Sequence, residues 1–264
     1  MRLDELSRTL RDTDPAAVLV DPHVLARVVQ AESGIAWAVW AVPHDHCWVV
    51  DRFALFKYVE RDELHLPPDY ALPEAVLLLA RPSAAELDGP AGELLVKYWR
   101  LLFHAAAHRE LNRTLADRTA AALRERVERV GPAAFEESRN VLVQDALLTA
   151  KADERAAYAE FAVVFLETRL FNPGLVSVYF PSLPPAAAVE AVLAADIDAH
   201  KLFAATRPAG APDPAPKTDD QADESHDFYY RLRRAAKRAK DAGDRKSTRL
   251  NYSHVVTSRM PSSA

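Results

Sequence analysis

The residues best placed to do chemistry are the two histidines of His104-Ala-Ala-Ala-His108. On a helix, positions i and i+4 share one face, so both imidazoles can reach a single metal ion. Zinc takes imidazole nitrogen readily and then asks for further ligands from elsewhere in the chain. Glu160 and Glu167 answer that description: they stand seven apart in Ala159-Glu-Phe-Ala-Val-Val-Phe-Leu-Glu167, an otherwise apolar stretch, and fall on one helical stripe. A carboxylate in such company needs a cation, a metal or a hydrogen-bond donor. Two arrangements are open. In the structural one, His104 and His108 bond to Glu160, Glu167 or backbone, the glutamates pair with Arg100 or Arg169, and there is no cofactor. In the metal one, His104, His108 and Glu160 hold zinc.

A second group, His44-Asp-His-Cys47, offers imidazole, carboxylate and thiol, all transition-metal ligands. Neighbours on a short loop seldom converge on one ion, and no second Cys or His pair has the spacing of a zinc knuckle. Cys47 as a thiol nucleophile beside His44 is the weaker reading still.

The His104/His108 pair with a glutamate from a later helix resembles the zincin metalloproteases, in which two histidines on one helix and such a glutamate bind zinc. The resemblance covers these few residues alone. The family's H-E-x-x-H carries a glutamate general base that activates water; here that position is Ala105. The inverted order, H-x-x-E-H, fails at Ala107, and Glu110 lies past the second histidine. The resemblance therefore implies a zinc site without the usual peptidase mechanism. Phosphate-loop, G-x-S-x-G and kinase-type motifs are missing from the sequence.

The elements that must position these side chains read as helices. The longest runs from about Gly92 to Thr114 and carries both histidines. Asp153 can cap a helix through Phe171, which Asn172-Pro173 stops. Ser83-Ala-Ala-Glu86 has capping-box spacing, Pro132 can open a helix toward Leu148, Pro184-Pro185 another, and Asp196 or Asp198 a last one before Pro208. Tyr98, Trp99, Phe103, Phe161, Phe165 and Phe171 read as helix-packing core. One region differs: Ile35–Val42 and Cys47–Val50, rich in Val and Trp and separated by Pro43-His-Asp-His46, predict a small β-hairpin near 35–50. Asp51 can then cap a helix carrying Phe53, Leu55, Phe56 and Val59. The fold expected is mainly α, an irregular multi-helix domain with at most that one small sheet.

Composition agrees with helices: Ala, Leu, Arg and Glu dominate, and only 7 of 264 residues are Gly, too few for glycine-rich phosphate cradles or many tight β-turns. A net charge of -5 gives no reason to expect nucleic acid or an anionic membrane as partner. A single cysteine excludes an intramolecular disulfide and points to a reducing compartment. The N-terminus lacks an apolar signal core, and Ile35–Val42 is far too short to span a bilayer. The expected location is the cytoplasm. Arg outnumbers Lys 25 to 8, as GC-rich bacterial coding sequence tends to give.

The chain divides into a helical globular domain over 1–207, a disordered acidic Pro-rich linker over 208–225 without any large apolar residue, and two further segments. Over 226–243, Arg231-Leu-Arg-Arg-Ala-Ala-Lys-Arg-Ala-Lys-Asp-Ala-Gly resembles the helix-turn that begins a tetratricopeptide-type repeat, which implies the start of a truncated helical array. Over 244–264, Asp244-Arg-Lys-Ser-Thr-Arg-Leu-Asn-Tyr-Ser-His254 and the closing Ser258-Arg-Met-Pro-Ser-Ser-Ala264 resemble the translation of a short-read sequencing adapter, Tyr252 departing by one base change. That resemblance implies an artefactual tail and a chain cut short. Without it the balance becomes 29 basic against 37 acidic residues, more acidic still. The function expected from these features is a noncatalytic helical protein-interaction module, the N-terminal fragment of a larger bacterial protein; the alternative is a metal-binding or metal-dependent hydrolase-like domain built on His104, His108 and Glu160.

Overall fold

The computed structural model describes residues 1–33, 47–67, 69–144, 147–149 and 151–215. Met1–Pro216 forms one compact unit; the repeat-like and adapter-like segments lie outside the described residues. The unit is mainly α with a small sheet. Helices α1 (Leu3–Thr13) and α2 (Pro22–Ser33) flank strand β1 (Ala17–Val20). Strand β2 (Cys47–Asp51), the short helix α3 (Arg52–Leu55) and strand β3 (Ala75–Ala80) follow. The rest is helical: α4 (Ala84–Asp88), α5 (Ala91–Ala116), α6 (Ala120–Val130), α7 (Pro132–Gln144), α8 (Glu154–Phe171), α9 (Val176–Tyr179), α10 (Ala186–Leu193) and α11 (Ala199–Ala205).

Side-chain caps begin several of these helices. Ser83 and Glu86 form a reciprocal capping box at α4. Asp51, Asp153 and Asp198 accept backbone N–H groups at the starts of α3, α8 and α11. Proline opens α7 as expected, and the described helix spans Pro132–Gln144, with residues 147–149 not helical. Helix α3 is only four residues long. Leu55 on it is buried, as is Val59 beyond its end, but Phe53 is 68% exposed, so the four apolar residues expected on one helix do not form one buried face.

The sheet has the order β1-β3-β2, with β1 parallel and β2 antiparallel to β3. The expected strand at 47–50 is therefore present, paired with β3; the other arm of the expected hairpin, up to His46, lies outside the described residues. Strands alternate side chains between faces, and the alternation sorts the core into two layers. Leu19, Leu77 and Leu79 face the large helical core of α5 and α8, whereas Val18, Val20, Val50, Val76 and Leu78 face a second core with Val24, Leu25 and Val28 of α2. Cys47 pairs with Leu79 and shares its face, which aims the thiol at α5.

Helix α5 is buried nearly all round, with Leu94, Tyr98, Trp99, Leu102, Phe103 and Leu111 among its core residues. The Tyr98 hydroxyl donates to the Ala80 carbonyl at 2.6 Å and ties α5 to the end of β3. The other principal neighbour of α5 is α8, whose Phe161 and Phe165 are fully buried. Behind α8, buried Asp196 accepts from the Tyr158 hydroxyl at 2.9 Å and from Arg126 Nε at 3.0 Å.

Candidate metal centre

The α5–α8 contact carries the polar residues singled out by spacing. Arg100, His104 and His108 recur every four residues along α5 and face α8 as one row. Their partners on α8 run in the opposite sense: Arg100 and His104 meet Glu167, and His108 meets Glu160. The two helices are thus antiparallel, and the seven-residue interval between the glutamates places them two turns apart along the row.

At the first rung, Arg100 Nη1 donates to Glu167 Oε1 at 2.7 Å, and His104 Nδ1 lies 2.6 Å from Glu167 Oε2. Burial works against ionisation of Glu167, but the neighbouring Arg100 and His104 outweigh it and hold the carboxyl down at about 2. Burial likewise opposes charge on His104, yet the Glu167 contact raises its imidazole above the ordinary range. Arg169, the other cation considered for these glutamates, pairs with Glu190 instead.

At the second rung, His108 Nε2 lies 3.2 Å from Glu160 Oε2. Glu160 is only 13% exposed, and its carboxylate is in close contact with this histidine. The His104 and His108 rings stand edge to face at 4.8 Å between centroids. One ligand atom each from His104, His108 and Glu160 therefore falls within 4.8 Å of the other two. Tetrahedral zinc with bonds of ~2.0–2.1 Å spaces its ligands by roughly 3.3 Å. The His108–Glu160 separation, 3.2 Å, is close to that value, and the widest separation in the cluster, at most 4.8 Å, exceeds it by up to about 1.5 Å. Side-chain exposures of 22% and 26% for the histidines leave the cluster open to solvent on one side. Three protein ligands with an open fourth position is the arrangement that distinguishes reactive from closed zinc sites.

The expected metal residues are thus brought together, and the two glutamates, alike in the sequence, take different parts. Glu167 is engaged by both Arg100 and His104, whereas Glu160 meets His108. Of the second sequence cluster, His44, Asp45 and His46 lie outside the described residues. Cys47 is placed on β2 with its thiol toward the Leu101 carbonyl of α5 at 3.7 Å. Burial, and then the negative charge of Glu167, pushes that thiol up to about 12, which leaves it protonated and unsuited to nucleophilic attack at neutral pH. Of the two cations expected for the glutamates, Arg100 is the one that takes Glu167, and its place four residues before His104 is the signal for their shared face.

No protein-family model, curated protein or solved structure matches the chain.

Proposed function

We propose that the helical unit is a metal-binding module that holds a divalent transition-metal ion, zinc first, through His104, His108 and Glu160. The observation that carries this reading is the convergence of their three ligand atoms within 4.8 Å on two packed helices. Glu160 adds weight, because a carboxylate held largely out of solvent beside an imidazole is well placed to take a cation. The chemistry of two imidazoles and a carboxylate favours zinc over the harder calcium and magnesium, which prefer all-oxygen shells. Ala105, buried on α5, stands where the zincin resemblance would need a general base. The proposed role is accordingly to hold an ion, with the open position available to water or a ligand, and not to cleave peptides by that route.

The test is metal analysis of the full chain after zinc loading and desalting. One equivalent of zinc in the wild type, lost in a folded His104→Ala variant, is the expected result. Wild-type protein that retains no zinc above the level of the variant overturns the proposal.

A second reading, a noncatalytic protein-interaction module, draws on Val49, Phe53 and Phe56, three large apolar residues exposed on the β2–α3 stretch. It is independent of the metal reading and compatible with it.

A further inference from the structure

We infer that Glu167 is the positioning residue of this centre: it fixes His104 in the tautomer that presents Nε2 to the ion, and Arg100 holds Glu167 in place to do so. The inference rests on the metal reading given above. An ionised carboxylate can only accept hydrogen bonds. At 2.6 Å from Glu167 Oε2, His104 Nδ1 must therefore carry the proton. In a neutral imidazole with Nδ1 protonated, the lone pair sits on Nε2. Glu167 thereby selects the ligating atom and holds the ring plane before any ion arrives.

The same contacts explain why Glu167 is not itself a ligand. Each of its oxygens already has a donor, Oε1 from Arg100 and Oε2 from His104. Arg100 has no lone pair to offer a metal; its guanidinium keeps the carboxylate charged and oriented. The result is a chain from Arg100 through Glu167 to His104, of which only the last member would serve as a ligand. Carboxylates that hold metal-ligating histidines in this way raise ligand basicity and orient the ring, and their loss typically weakens binding by about 10–100-fold.

The experiment uses the full-length protein, Glu167→Gln and Glu167→Ala. Zinc affinity is measured by competition with a chromophoric chelator, and the His104 tautomer by long-range proton–nitrogen correlation on metal-free, 15N-histidine-labelled protein at alkaline pH. The wild type is expected to show the Nδ1–H form. Glu167→Gln, whose amide oxygen still accepts from Nδ1, keeps that tautomer and loses less affinity than Glu167→Ala, which falls by about 10–100-fold and drifts to the Nε2–H form. If Glu167→Ala does not fold, the drop in Glu167→Gln carries the test. Tight zinc binding in the wild type with unchanged affinity in the variants overturns the positioning role and leaves the metal centre standing. An Nε2–H tautomer in the wild type overturns it as well. A wild type that binds no zinc removes both.

Discussion

At the scale of single residues, the row Arg100–His104–His108 makes the centre sensitive to pH in a definite direction. His104 is raised above its ordinary value of 6.5 by Glu167, so its contribution to stability is complete below about 6.5 and is lost as pH rises through the folded value. Glu167 is lowered from 4.5 to about 2, so its contribution is complete above 4.5 and is lost as pH falls toward 2. Metal-free protein should therefore be most resistant to urea between those limits, and denaturation midpoints measured across pH will check it. Zinc needs a neutral imidazole, so its affinity should climb as pH rises through the range in which His104 loses its proton; a pH-independent dissociation constant would contradict the assigned ligand. The histidine pair was legible in the sequence because helical periodicity alone puts i and i+4 on one face. Glu160 is expected with it as the third ligand, but the physical reason to prefer it to Glu167 was not legible. It depends on the axial offset of α5 against α8, which the far-off contacts of both helices set.

At the scale of elements, α5 governs the unit. It closes the sheet through Tyr98, stacks aromatics through Trp99 and Phe103, and presents the polar row to α8. Trp99 is fully buried, lies 4.2 Å from the Phe203 ring and 5.3 Å from the Phe171 ring, and donates from its indole N–H to the Phe203 carbonyl at 3.0 Å. Trp99→Ala should cost about 3–5 kcal/mol by the cavity it opens, read as a lowered urea midpoint with an unchanged slope. Helix starts were readable because caps are local: Ser83, Asp153 and Asp198 each bond within their own first turn. Strands β1 and β3 were not. Ala17-Val-Leu-Val and, after exposed Ala75, Val76-Leu-Leu-Leu-Ala80 are buried on both faces of the sheet, so they show a continuous apolar run in place of alternation, and such a run reads equally as a buried helix.

At the scale of the whole unit, the boundary expected at 207 moves outward. Pro208–Ala215, expected as the start of a disordered linker, packs on the helical unit. The Arg207 guanidinium sits 4.9 Å from the Trp99 ring, donates twice to the Ala211 carbonyl and pairs with Asp213 at 2.9 Å. Gly210 takes a positive φ of 81°, which lets the chain turn back so that Ala211 is buried. Composition hid this, because one small apolar residue and one arginine are enough to anchor a segment that looks solvated throughout. Arg207→Ala should lower stability by about 1–2 kcal/mol, through the lost cation–π contact and the Ala211 carbonyl left without its donor; thermal unfolding of the full chain will measure it. Among the described residues no helix is long and apolar enough to cross a membrane.

The antiparallel pairing of α5 with α8 has a consequence for the order in which the molecule comes apart. An ion shared by His108 and Glu160 turns the intervening chain, roughly fifty residues that include α6 and α7, into a closed loop. Within that loop α6 and α7 can open and reclose while the clasp holds. Parting α5 from α8 requires the ion to leave first. Occupancy would then divide the unit into a part free to breathe and a part locked until release.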